Sequence, residues 1–114
     1  MKRVKCAIIT MSLMLAALIA LPGTPRIVYA SEADGTALFK AKCAACHGVD
    51  GKGETAAGKA MKLRDLGSAE VQALSDAELA EITAKGKGKM PGYHKSIGDD
   101  GVQAVVAFIR TLKR

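Results

Sequence analysis

Five consecutive residues constrain this chain more than its length does. Cys43-Ala44-Ala45-Cys46-His47 is a C-x-x-C-H pentapeptide, the spacing of a covalent haem attachment site. On a helix, positions i, i+3 and i+4 share one face, so both thiols and the imidazole point the same way. That arrangement suits a porphyrin edge. Cys43 and Cys46 can form thioethers with the two vinyl groups, while His47 offers a ring nitrogen to the iron from the proximal side. Two other readings compete. A C-x-x-C pair can be a disulfide or a thioredoxin-like redox couple, although the latter needs a βαβ setting that this sequence lacks. Cys43, Cys46, His47 and His94 can also be written as a four-ligand zinc site, for which adjacent Cys46 and His47 are awkward partners on one tetrahedral ion.

Residues 1–30 read as a targeting segment. Lys2, Arg3 and Lys5 make a basic start, residues 7–21 are mostly apolar, and Val28-Tyr29-Ala30 offers small-residue positions with cleavage expected after Ala30. The apolar run falls short of the roughly 20 residues that cross a bilayer, and it stops at Pro22-Gly23. A removed signal peptide and a periplasmic domain over residues 31–114 are therefore expected; the alternative is an inner-membrane anchor formed by an uncleaved leader. Cys6 lies ahead of the apolar run and leaves with the signal.

Composition is informative only after that removal. The whole chain carries a formal charge of +6, but four of its 17 basic residues and none of its 11 acidic ones lie in the leader, which leaves +2. Charge alone gives no support to a nucleic-acid partner. A domain of this size buries a limited core, and Phe39, Tyr93 and Phe108 are its only aromatics. A haem would supply much of the missing apolar volume, and covalent attachment would keep it from being lost outside the cell.

The first helix is expected to open near Asp34, as N-cap, and to run through Phe39 into Cys43, with Gly35, Phe39 and Cys43 forming one ridge. Residues 48–54, rich in glycine and lysine, read as a loop that supplies a carbonyl or carboxylate acceptor for the second ring N–H of His47. Residues 59–66 place Met61, Leu63 and Leu66 as a wall beside a buried group, with Lys62 and Arg64 as surface charges that are also candidates to pair a haem propionate. Ser68 can start a short helical turn. Ser75-Asp76-Ala77-Glu78 is a capping box for a helix that carries Leu79 and Ile82 and stops at Gly86.

Residues 85–95 read as an irregular loop whose one apolar side chain amid glycine and lysine is Met90, followed by Pro91. A thioether is a good iron ligand opposite histidine and raises the reduction potential relative to a second histidine. Met90 is the expected distal ligand; His94, which would give a bis-histidine site of lower potential, and Met61 are its rivals. A last helix over residues 98–113 places Val102, Val105, Phe108, Ile109 and Leu112 at helical spacing.

With these pieces placed, residues 34–113 resemble a small bacterial class I c-type cytochrome. The resemblance rests on Cys43-Ala44-Ala45-Cys46-His47, on Lys89-Met90-Pro91 and on the terminal helix around Val105-Val106-Ala107-Phe108-Ile109. It implies an all-α cytochrome c fold, three to five helices wrapped around one covalently bound haem c, with Gly35 and Phe39 packed against Val105 and Phe108. It also implies a monomeric one-electron carrier, not an enzyme, exchanging electrons by outer-sphere transfer with redox proteins and touching membranes only through them. Lys40, Lys42, Lys85, Lys87, Lys89 and Lys95 flank the two motifs and suggest a rim that docks on acidic surfaces. The alternative is a haem-containing subunit, or a gas- or redox-sensing haem domain, attached to a larger oxidoreductase. One departure stands out: many members carry a proline whose carbonyl receives the proximal histidine's hydrogen bond, and none lies between His47 and Met90.

Overall fold

The computed structural model describes residues 32–114, so the leader reading for residues 1–30, Cys6 included, lies outside the described residues. The order is α1 (Glu32–Lys42), α2 (Ala44–His47), α3 (Ala56–Met61), α4 (Ala69–Gln72), α5 (Asp76–Lys85), β1 (Gly86–Lys87), β2 (Met90–Pro91) and α6 (His94–Thr111). The architecture is all-α in substance. Its strands are two residues each and pair antiparallel, Gly86 with Pro91 and Lys87 with Met90.

α1 begins at Glu32, so Asp34 sits in its first turn instead of capping it, where an acid still suits the positive helix end. The helix does not run unbroken through the attachment motif. Cys43 steps out at φ −113°, yet its N–H donates to the Phe39 carbonyl at 2.8 Å and the His47 N–H donates to the Cys43 carbonyl at 2.9 Å. Helical spacing from Cys43 to His47 therefore survives the break.

Packing is dominated by α1 crossing α6. A Cβ on Gly35 would overlap the Ala104 carbonyl oxygen and lie 3.2 Å from Phe108 Cβ, so the backbones touch. Phe39 stacks on Phe108 at 4.7 Å between ring centroids, tilted by 43°. Phe39 and Val105 are fully buried, joined by Val71 of α4, Leu79 of α5, Ile109 of α6 and the Cys43 side chain itself. The first cysteine of the motif is thus a core residue.

α5 has its capping box: the Ser75 N–H donates to Glu78 Oε2 at 2.7 Å and the Glu78 N–H to Ser75 Oγ at 3.2 Å. α6 opens earlier than residue 98, with one turn from His94 that Gly98 interrupts at φ 66°, ψ −179°, a conformation open essentially to glycine alone. Arg110 does more than close the helix end. Its guanidinium reaches Asp76 Oδ1 at 2.7 Å and the carbonyls of Gln72 and Leu74 at 3.0 and 2.5 Å, tying α6 to the corner between α4 and α5. Among the described residues no helix is long and apolar enough to cross a membrane.

Gly35→Ala forces a methyl group into the Ala104 carbonyl and is expected to lower stability by about 2 kcal/mol, the usual range for overpacking. Urea denaturation measures it. An unchanged midpoint would mean that the two helices cross less closely than described.

Candidate functional site

Two adjoining cavities of about 170 and 380 Å³ open beside α2, and Cys43, His47, Leu63, Lys87 and Met90 line both. They are two parts of one cleft. The smaller reaches the core among Val71, Leu79, Val105 and Ile109, whereas the larger opens outward past Cys46, Met61, Tyr93, Lys42 and Lys89. Its size alone falls within the roughly 300–1,000 Å³ typical of cofactor pockets.

The elements that bring these side chains together are short, and each has a local cause. The α1–α2 break leaves Cys43 buried and Cys46 half-buried, both as free thiols. Burial, with Cys46 beside it, pushes the Cys43 thiol up to about 11, so it stays protonated. A thioether at that position has no proton to lose and no charge to desolvate, which suits an apolar wall. Met90 arrives on the hairpin, whose exit is fixed by the Tyr93 N–H donating to the Thr83 carbonyl at 3.0 Å. Burial holds the His47 imidazole below its ordinary pKa, hence neutral, the form that binds a metal. Its Nδ1 is buried with no hydrogen-bond partner among the described residues. The acceptor expected from residues 48–54 is therefore not formed: the carbonyls of Gly48, Asp50 and Gly51 accept instead from the Gly51 N–H at 3.1 Å, the Arg114 guanidinium at 2.7 Å and the Leu66 N–H at 2.9 Å.

His94 is elsewhere. Its Nε2 lies 3.0 Å from Asp99 Oδ1 on a side chain 54% exposed, and it lines neither cavity. The four zinc ligands are not gathered either, since among the described residues no group of three or more His, Cys, Asp or Glu side chains could hold a metal ion. Met61 lines the larger cavity with Cys46 and His47, so it stays a rival thioether. Of the two basic candidates, Arg64 borders the smaller cavity but pairs with Glu70 at 2.9 Å, and Lys62 lines neither. Sequence reading missed Thr83, buried in the wall with its hydroxyl donating to the Leu79 carbonyl at 2.8 Å, and it missed all of α3. Thr55 before two alanines was the available signal, masked by Gly58 inside the helix.

Two thiols at one edge, a neutral imidazole with an unpaired buried nitrogen and a thioether around one apolar cleft fit a covalently held haem. Residues 30–109 match the family model described as cytochrome c oxidase, cbb3-type, subunit III. The chain belongs to this family of c-type cytochromes. It is 35% identical over 80 residues to cytochrome c6 of Leptolyngbya boryana, covering 70% of this chain and 91% of that one. Against cytochrome c6 of Synechocystis sp. the identity is again 35%, covering 70% of this chain and 64% of the relative. A c-type cytochrome of known structure superposes with a TM-score of 0.66 at 32% identity, over 71% of this chain and 99% of its own. As a c-type cytochrome, the chain carries covalently bound haem c and works as a monohaem electron carrier for redox partners.

The His47 shift has a defined sign. Because the folded chain binds a proton there less readily than the unfolded chain, whose value is the ordinary 6.5, stability is full above that value and falls as pH drops through it. Metal ligation by the neutral ring acts in the same direction. The urea midpoint is expected to fall between about pH 7.5 and about pH 5.5, before carboxylates titrate. A flat profile over that interval would show that burial does not perturb His47.

Proposed function

We propose that the chain is a periplasmic carrier of single electrons, exported by residues 1–30, cleaved after Ala30 and working as a monomeric domain over residues 31–114. In this reading Cys43 and Cys46 hold the haem through thioethers, His47 supplies the proximal nitrogen and Met90 the distal sulfur. The observation that carries it is that Met90 lines both parts of the cleft with Cys43 and His47, whereas Met61 lines only the outer part and His94 neither. When bound, the haem supplies a one-electron ferric/ferrous couple. Met90 donates a soft thioether that favours the ferrous form and raises the potential. Val71, Leu79 and Val105 exclude water from the inner wall, which lowers the local dielectric. With His47 and Met90 both holding the group, no ligand position would be left for a substrate, which in this reading makes the chain a carrier rather than an enzyme.

Lys42, Lys87 and Lys89 border the larger cavity, and Lys40, Lys85 and Lys95 are exposed as well. They form a rim that draws in redox proteins with acidic docking surfaces, although Lys85 is partly offset by Glu81 at 3.0 Å. A second reading, a haem-bearing subunit held on a larger oxidoreductase by an uncleaved leader, is favoured by the oxidase subunit named in the matching family's description. The mass of the mature N-terminus separates the two. Visible spectra of ferric and dithionite-reduced protein test the ligand set, since a weak far-red sulfur-to-iron band is expected, while a high-spin spectrum would favour a sensor or enzyme.

Met90→Ala is expected to abolish that band and lower the potential, and His94→Ala to change neither; the reverse pattern would transfer the distal role to His94. For the rim, bimolecular electron transfer to an acidic redox protein should slow markedly as salt rises through physiological strength, because the Debye length shrinks to about 8 Å. A rate indifferent to salt would remove the lysines from docking.

A further inference from the structure

The four-residue α2 ends with carbonyls that have no helical partner, as every helix does. Two of them, on the residues that matter most, are claimed by the chain that follows. The His47 carbonyl accepts from the Gly53 N–H at 2.7 Å, and the Cys46 carbonyl accepts from the Thr55 hydroxyl at 2.6 Å. Thr55 is also the N-cap of α3, where its Oγ1 accepts from the Gly58 N–H at 2.8 Å. One hydroxyl therefore donates to the attachment motif and accepts from the helix beside it.

The fit beneath that hydroxyl is close. A Cβ on Gly58 would overlap the Gly53 carbonyl oxygen and lie 2.7 Å from the Cys46 carbonyl oxygen. The buried Nδ1 of His47 has no such bond of its own among the described residues. Orientation of the imidazole then rests on packing, with the Phe39 ring 6.5 Å away between centroids, and on its backbone. The Cys46 carbonyl and the His47 N–H belong to one planar peptide unit, so whatever fixes that carbonyl also fixes the plane from which the His47 side chain departs.

We propose that Thr55 is a positioning residue for His47, holding the Cys46–His47 peptide plane and, through it, setting the reduction potential of the bound haem. The proposal rests on the reading of His47 as the proximal ligand. Metal ligands are usually oriented by a partner on their second nitrogen. Here the task passes to a threonine eight residues downstream, acting through main chain.

The test uses the haem-loaded protein and a matched pair of variants. Thr55→Ala removes the cap of α3 together with the tie to Cys46; Ser75→Ala removes the equivalent cap of α5, whose hydroxyl touches neither attachment residue. Both are expected to lower the denaturation midpoint. Only Thr55→Ala should shift the ferric/ferrous ratio at fixed poise toward the ferrous form, by about tenfold, or ~59 mV for one electron, and change the ferric electron paramagnetic resonance g-values. Thr55→Ser, which keeps the hydroxyl, should restore both. Thr55→Val repeats the measurement with side-chain volume nearly preserved. Wild-type potential and g-values in the alanine and valine variants would reduce Thr55 to a helix cap and overturn the proposal. Failure of the underlying reading shows differently, in the unsubstituted protein, as a spectrum without low-spin histidine-ligated haem, and it overturns both.

Discussion

Where α1 meets α6, the Ala104 carbonyl oxygen fills the space that a side chain at position 35 would need, and the Phe39 ring lies against Phe108. That approach sets the depth of everything downstream. Phe39 is one turn before Cys43, so seating its ring in the core also draws the first attachment cysteine into the core and directs α2 along the cleft. The crossing is local chemistry at long range. A glycine and a phenylalanine on the first helix decide where the cofactor's edge will be held.

A domain this small has little apolar surface to bury against itself, and the residues that line the inner cavity are largely those that make the core: Phe39, Val71, Leu79, Val105 and Ile109. Core and binding site are the same side chains viewed from two sides. In a c-type cytochrome the bound haem completes that core, so attachment and folding are coupled. Polar ties then hold the short elements around it. Arg110 joins α6 to the α4–α5 corner, Gln72 donates to the Leu66 and Ile109 carbonyls at 2.8 and 3.0 Å, and Arg114 bonds Asp65 and the Asp50 carbonyl.

Features with strict spacing were legible in the sequence. The C-x-x-C-H motif is dictated by covalent chemistry, the Ser75 capping box by hydrogen bonds three residues apart, and the Gly35–Phe39 ridge by the helical repeat. Features decided by distant partners were not. The hairpin pairs only Gly86–Pro91 and Lys87–Met90, too short for any alternation to show, and glycine and lysine there read as irregular. α3 was hidden by Gly58, a poor helix former retained because two carbonyls lie where a Cβ would be. Nothing local marks Arg110 as a tie, because its partners, Asp76, Gln72 and Leu74, lie more than 30 residues away. The acceptor expected for His47 failed for a related reason: the loop carbonyls of Asp50 and Gly51 are taken by Arg114 and Leu66, which are distant in sequence.

The hairpin has a consequence for motion. Its two strands are the least extensive element of the described chain, anchored at one end by the Tyr93 to Thr83 bond, while α2 is built into the helix crossing and stitched to α3. The cheapest local opening therefore unfastens the Met90 side and leaves the His47 side in place. The two faces of the cleft are thus held by unequal amounts of structure. One face rests on the crossing of α1 with α6 and the other on four paired residues, so the way into the cleft that breaks fewest bonds runs past Met90.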